Sequence, residues 1–131
     1  MKDDEKGFSL VEILLAVSII GVVAAAALPK AAHVLAVSRT QRVVSDLQTL
    51  DAAVVMYETE HGTQPTGIND LSDYIQNIKN VKPPKGSMVI RGSSTEEVKD
   101  GDYKLTKPDN KDIRATLDAH PAEDYMAGGT K

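Results

Sequence analysis

The chain contains no cysteine and no tryptophan, and a single phenylalanine stands beside its four tyrosines. Without cysteine there is no disulfide, no thiolate metal ligand and no thiol nucleophile. With so few aromatic rings, the polar part of the chain lacks large anchors for a dense core. Basic residues are also short. Lys and Arg number 15 against 19 Asp and Glu, a formal charge of −4. That balance argues against a general nucleic-acid binder, which presents a basic face. With 131 residues there is room for about one domain.

Charge is missing locally as well. No residue between Ile13 and Pro29 is charged, whereas the chain from Arg39 onwards is charge-rich. Extended back to Phe8, the apolar run is interrupted only by Glu12. A helix of that length rises about 33 Å, enough to cross a hydrocarbon core. A charged side chain there costs roughly 2.5–3.5 kcal/mol on insertion scales. Either the segment stays out of lipid, or Glu12 snorkels to the headgroups, or it finds a partner. A cleaved secretory signal would carry a basic start and end at a small-residue site. Ala24, Ala25, Ala26 and Ala27 offer such a site, but the leader MKDDEKG sets Lys2 and Lys6 against Asp3, Asp4 and Glu5.

The order of residues in KGFSLVE carries a sharper signal. A short polar leader ends in Lys6-Gly7, followed by Phe8, Glu12 and an unbroken apolar stretch. This resembles the class III signal of type IV pilins and of the pseudopilins of type II secretion and competence systems. The resemblance implies cleavage between Gly7 and Phe8 by a prepilin peptidase and N-methylation of Phe8, with the apolar helix retained. Glu12 then lies at the family's acidic position, and Gly21 and Pro29 where many members carry a helix-loosening Gly and Pro. The acidic leader departs from the family's usually basic one. The physical logic of Glu12 follows. Cleavage creates a cation at Phe8, and in a filament a neighbour's cation can lie beside Glu12 in a core drier than water. Glu12 would thereby set subunit register. Pro29 removes a helical hydrogen bond and is expected to kink the helix near Gly21 and Pro29.

Past Pro29, residues 31–60 carry almost no helix breaker. Val43, Leu47, Leu50, Val54 and Tyr57 recur at helical spacing, an apolar stripe that needs a cover. Gly62 and Pro65 should end this helix near His61. A stripe of about two heptads is short for a coiled coil, so packing against the chain's own head is the preferred reading. The run from Asp46 to Thr66 is similar to the helix end of major pseudopilins. Ile68, Leu71, Tyr74, Ile75 and Ile78 then predict a short second helix, with Asn69 as its N-cap. Strand candidates follow at 87–91, 102–106 and 112–118, separated by polar turns at 92–101 and 107–111. A three-stranded antiparallel sheet would lay Met88, Ile90, Tyr103, Leu105, Ile113 and Leu117 over the long helix. The stretch from His120 onwards reads as a loose tail.

The fold class expected is therefore α+β and type IV pilin-like: a long N-terminal helix over about residues 8–61 against a small head. Its parts are a leader (1–7), a transmembrane and filament-core helix (8–30), an amphipathic continuation (31–61) and the head (62–131).

No catalytic constellation is present. His33, His61 and His120 are far apart in sequence, Ser94 and Thr95 have no nearby His-acid partner, and Gly92 and Gly101 are isolated rather than part of a phosphate loop. The chain is read as a non-enzyme without cofactor. Asp109, Asn110 and Asp112 offer oxygen ligands to Ca2+, but EF-hand spacing is absent and Lys107 and Lys111 dilute the field, so a solvated turn is preferred. Lys79, Lys82, Lys85 and Arg91 form a modest basic stretch without interleaved aromatics, a weak signal for DNA. The expected partners are copies of the chain, the prepilin peptidase, assembly-platform proteins and the membrane that holds the precursor with its head outside the cytoplasm. Adhesion, motility or DNA uptake by a pilus is the first reading, and a major pseudopilin the second. A monomeric membrane-anchored binding protein is the alternative from another class.

Overall fold

The structure is a computed structural model that describes residues 7–126. Residues 1–6 of the leader and residues 127–131 of the tail lie outside the described residues. The element order is α1 (Leu10–His61), two 3-10 turns (Ile68–Leu71 and Ile78–Asn80), β1 (Met88–Arg91), β2 (Ser94–Glu97), β3 (Lys104–Thr106), β4 (Arg114–Thr116) and α2 (Ala122–Met126). Contacts divide the chain into two units, Met1–Val34 and Leu35–Lys131.

In the first unit α1 is exposed along its whole described length, and it is helical without interruption through Gly21 and Pro29. In the second unit the expected stripe of α1 is covered. Val43, Leu47, Leu50 and Val54 are buried, and Tyr57 packs half-buried beside them. The stripe begins earlier than its apolar residues suggest, because Ala36 and Thr40 are buried too. The Thr40 hydroxyl donates to the Ala36 carbonyl at 2.7 Å and accepts the Ile90 amide at 2.7 Å, which ties β1 to the helix. α1 stops where the sequence requires. Gly62 takes φ 69°, a left-handed conformation that glycine adopts without steric cost, and its amide reaches the Glu58 carbonyl at 2.8 Å.

Past α1 the structure corrects several expectations. Two 3-10 turns stand in place of the short second helix. Asp70 draws the first together by accepting the Thr66 amide (2.7 Å), the Thr66 hydroxyl (2.9 Å) and the Gly67 amide (3.3 Å). Those bonds hold its carboxyl below the usual carboxylate range. The strands form two separate two-stranded antiparallel sheets, β1–β2 and β3–β4, rather than one of three strands. β2 occupies STEE, inside the stretch read as a polar turn. It pairs Met88 with Glu97 and Arg91 with Ser94 through backbone bonds that need no apolar alternation. In β1 the buried residue is Val89, while Met88 is exposed, the opposite face from that expected. The residues read as a loose tail begin with α2, whose Ala122 and Tyr125 enter the core.

Two polar clamps fasten the head to α1, and a third ties the head to itself. Tyr103, buried, donates to Asp46 at 2.8 Å, and burial pushes its hydroxyl pKa well above the ordinary value. Asp51 accepts Arg114 Nε (3.0 Å), Arg114 Nη2 (2.8 Å) and the Ala115 amide (2.7 Å). Asp118 accepts the amides of Lys99 (3.0 Å) and Asp100 (2.7 Å) from the turn that closes the β3–β4 layer. That turn is strained, because Asp118 and Ala119 both have positive φ (49° and 69°) between the paired Leu117 and His120.

Two stability predictions follow. Ala119→Gly removes the strain and should raise stability by about 1 kcal/mol. Asp51→Ala leaves the Arg114 guanidinium and the Ala115 amide without their acceptor and should cost about 2–3 kcal/mol. Thermal unfolding of the detergent-solubilised full chain measures both, as a rise and a fall in Tm.

Candidate processing and assembly site

The start of α1 is set by two residues three apart. Ser9 caps the helix: its hydroxyl accepts the Glu12 amide at 3.2 Å, and Glu12 Oε2 accepts the Ser9 amide at 2.9 Å. This is a capping box, in which each side chain satisfies an amide that the first turn leaves open. The negative carboxylate also sits at the positive end of the helix dipole. Ser-x-x-Glu is legible in the sequence, but read as a charge in lipid Glu12 points to a partner in the membrane and not to Ser9, its neighbour in the first turn.

The cap places the Gly7–Phe8 bond outside the helix. Gly7, Phe8 and Ser9 are non-helical and exposed, with Phe8 83 % accessible. An unwound, accessible bond is what a peptidase needs. Immediately beyond it, α1 is long and apolar enough to cross a membrane, and none of its apolar window is buried. Leu10, Ile13, Leu14, Val17, Ile20 and Leu28 are among the side chains left bare. Gly21 leaves open space where a side chain would begin. Thus Gly7, Phe8, Ser9 and Glu12 form one constellation, and Gly21 and Pro29 lie farther along the same helix.

The head supplies no comparable site. His61 stacks on Tyr57 with ring centroids 4.2 Å apart, and its Nδ1 lies 3.5 Å from the Tyr74 hydroxyl. Tyr74 donates to Glu60, and that bond pushes its pKa up to about 12. His120 meets Asp124 at 2.8 Å and Arg91 at 3.4 Å. Ser94 lies on β2, donating to the Arg91 carbonyl and to Glu96, with no histidine among its partners. In the basic stretch Lys82 pairs with Asp102 and Arg91 with Glu96. Asp109, Asn110 and Asp112 are exposed beside a hollow that Lys111 and Arg114 also line. Among the described residues no group of three or more His, Cys, Asp or Glu is placed to hold a metal ion.

The head's ion pairs make its stability depend on acid. The Arg91 guanidinium beside Glu96 and the Arg114 guanidinium beside Glu123 hold both carboxyls below their ordinary value of 4.5. Depressed folded-state values mean that this stabilisation is present above pH 4.5 and is lost as pH falls through the folded values. The Tm of the full chain should therefore drop as pH is lowered below about 4.5. Glu123→Gln should lower Tm at pH 7 and make the acid decline shallower.

Comparison with known proteins agrees with this geometry. Residues 2–28 match the family described as Prokaryotic N-terminal methylation motif. Type II secretion system core protein G of Klebsiella michiganensis is 27 % identical over 111 residues, covering 82 % of this chain and 77 % of that protein. Type II secretion system core protein G of Klebsiella pneumoniae is 36 % identical over 62 residues, 47 % of this chain and 44 % of that protein. Type IV major fimbrial protein FimA of Dichelobacter nodosus is 39 % identical over 54 residues, 41 % of this chain and 35 % of that protein. No solved structure matches. With the methylation motif over the capped apolar helix and relatives of both kinds, the chain is similar to type IV pilins and to type II secretion pseudopilins.

Proposed function

We propose that the chain is a structural subunit, not an enzyme, of a type IV pilus-like extracellular filament. The observation that carries this reading is the exposed apolar length of α1, which begins two residues after an unwound Gly7–Phe8 bond. Such a surface is stable in lipid before assembly and in a bundle of like helices afterwards. The precursor is held in the membrane by α1 with the head outside the cytoplasm. Prepilin peptidase removes residues 1–7, Phe8 is N-methylated, and assembly-platform proteins add the subunit to a filament of its own copies. Glu12 sets register by accepting a neighbour's amino-terminal cation, and Gly21 and Pro29 provide the place where α1 kinks. The filament serves adhesion, motility or DNA uptake.

A second reading is favoured by one observation. The match that spans most of this chain is to a type II secretion core protein, whereas the fimbrial match covers 54 residues. The filament would then be a pseudopilus of a secretion or competence system. Deleting the gene separates the two. Loss of long surface filaments indicates a pilus, and loss of export or uptake without loss of such filaments indicates a pseudopilus. Asp109, Asn110 and Asp112 are read as a solvated turn in either case, so thermal unfolding with Ca2+ or with chelator should give the same Tm.

Intact mass and N-terminal sequencing of the membrane-extracted protein should give a chain that starts at methylated Phe8. A chain that keeps Met1 or starts beyond Ala27 overturns the reading. Glu12→Ala should still insert in the membrane but yield few or no filaments by electron microscopy. A monomeric anchored binding protein would instead tolerate the change.

A further inference from the structure

The basic stretch that reads as a weak signal for nucleic acid folds around a hollow rather than across a flat face. The hollow has a volume of about 440 Å3. Buried Leu50, Ile78 and Tyr103 form its floor, and half-buried Ile68 and Val81 form its walls. Exposed Asn69, Lys79 and Lys82 stand at its rim, together with Asp102. Small-molecule sites are typically about 300–1,000 Å3 and combine an apolar lining with a few polar groups.

The local sequence explains why the space is left open. The two 3-10 turns, Ile68–Leu71 and Ile78–Asn80, cover α1 where a longer helix would have closed over it. Asn77 takes φ 58° ahead of the second turn, and after that reversal Ile78 is buried while Lys79 stays exposed. Pro83 and Pro84 follow Lys82, and a proline holds the residue before it extended. The wall beside Val81 is therefore stiff before any ligand arrives, which spares part of the ordering cost of binding.

Charge around the hollow is uneven. Lys82 is paired with Asp102, whereas Lys79 has no acidic partner among the described residues. Lys85 lies close by, its Cδ 3.5 Å from the point where a β-carbon on Gly101 would sit, one residue from Asp102. Three cations thus surround one carboxylate, on a chain whose formal charge is −4. Asn69 gives its backbone carbonyl to the Ser72 amide at 3.2 Å, and its side-chain amide is engaged by no described residue.

We propose that this hollow binds a small amphipathic carboxylate. The apolar body rests on Leu50, Ile78 and Tyr103, and the carboxylate meets Lys79 and the Asn69 amide. A neutral apolar molecule gains nothing from Lys79, and a polyanion meets a hollow too small and too apolar for more than one of its charges. The same chemistry comes from two sources, a free organic acid or the C-terminal residue of a protein chain. The site lies in the head and does not depend on whether the chain forms filaments.

The test uses the full-length chain in a neutral detergent, with its Ile, Leu and Val methyl groups isotope-labelled for NMR. Phenylpropionate should shift the Ile68, Ile78 and Val81 signals and saturate at about 1 mM. Ile13 and Ile19, in the apolar run, should show no saturable shift. Uncharged phenylpropionamide should bind about threefold more weakly, and so should phenylpropionate to Lys79→Gln. Val81→Phe fills the hollow and should abolish the shifts while Tm is kept. A tripeptide ending in phenylalanine with a free carboxylate separates the sources. Tighter binding than phenylpropionate points to a chain terminus, and weaker binding points to a free acid. Absence of a saturable shift at Ile68 and Ile78, or shifts no different from those at Ile13, overturns the site. Equal affinity for acid and amide, unchanged in Lys79→Gln, overturns the assignment of a carboxylate.

Discussion

A helix has one circumference, and the head of this protein covers only one stripe of it. That stripe is Val43, Leu47, Leu50 and Val54, each buried. Burying each such side chain is worth roughly 1.5–3 kcal/mol. The rest of the head is arranged to make that cover possible. Leu71, Val89, Val98, Tyr103, Ala115, Leu117 and Tyr125 press on the stripe from short elements that would not be stable alone. Asp46, Asp51 and Thr40 on the helix then bind Tyr103, Arg114 with Ala115, and Ile90, which fixes the angle at which the short sheets sit. Among the described residues of the first unit, Leu10, Val11, Ile20 and Val22 are bare. The molecule therefore carries an apolar surface that its own described residues leave uncovered, which is the surface the proposed membrane and filament roles would use.

The long-range features were legible because they rest on periodicity and on glycine. The α1 stripe shows at spacings of four and three, Gly62 marks the end of the helix, and the Gly7, Phe8 and Glu12 pattern carries the resemblance to type IV pilins and pseudopilins. The head was less legible, and for a physical reason. Its elements are three to five residues long, too short for a period to register. β2 is Ser94-Thr95-Glu96-Glu97, whose strand conformation is imposed by the backbone of β1 and by Arg91 gripping Glu96, not by side-chain preference. The choice of Val89 over Met88 for the core is a one-residue matter of register that turn geometry decides. α2 did leave a trace, since Pro121 followed by Glu123 and Asp124 is helix-start chemistry, but five residues cannot show a repeat.

Several charges of the head are engaged with one another or with α1. Lys82 meets Asp102, Lys104 meets Asp100, and Arg114 bridges Asp51 and Glu123. A basic stretch so paired presents a weaker field than its residue count suggests, and the acidic loop at Asp109 and Asp112 is diluted by Lys111 and Arg114. The distinctive chemistry of the described residues thus lies along α1, in an apolar run and a capped start, and the head covers the stripe Val43, Leu47, Leu50 and Val54.

The capped start also answers how a carboxylate can wait in a membrane for a partner it does not yet have. In the single chain, Glu12 is already bound: it accepts the Ser9 amide and lies over the positive end of α1. An amide that would otherwise lack an acceptor and a carboxylate that would otherwise lack a donor satisfy each other, which lowers the insertion penalty below that of a bare charge. A neighbour's amino-terminal cation therefore competes with an existing hydrogen bond rather than rescuing an orphaned charge. The cation prevails only if it comes close to the carboxylate in a dry setting, because opposite charges attract far more strongly there than an amide dipole does. On the proposed register role, that requirement would make Glu12 selective: a misregistered subunit would leave the capping box intact and gain nothing, whereas a subunit in register would gain an ion pair.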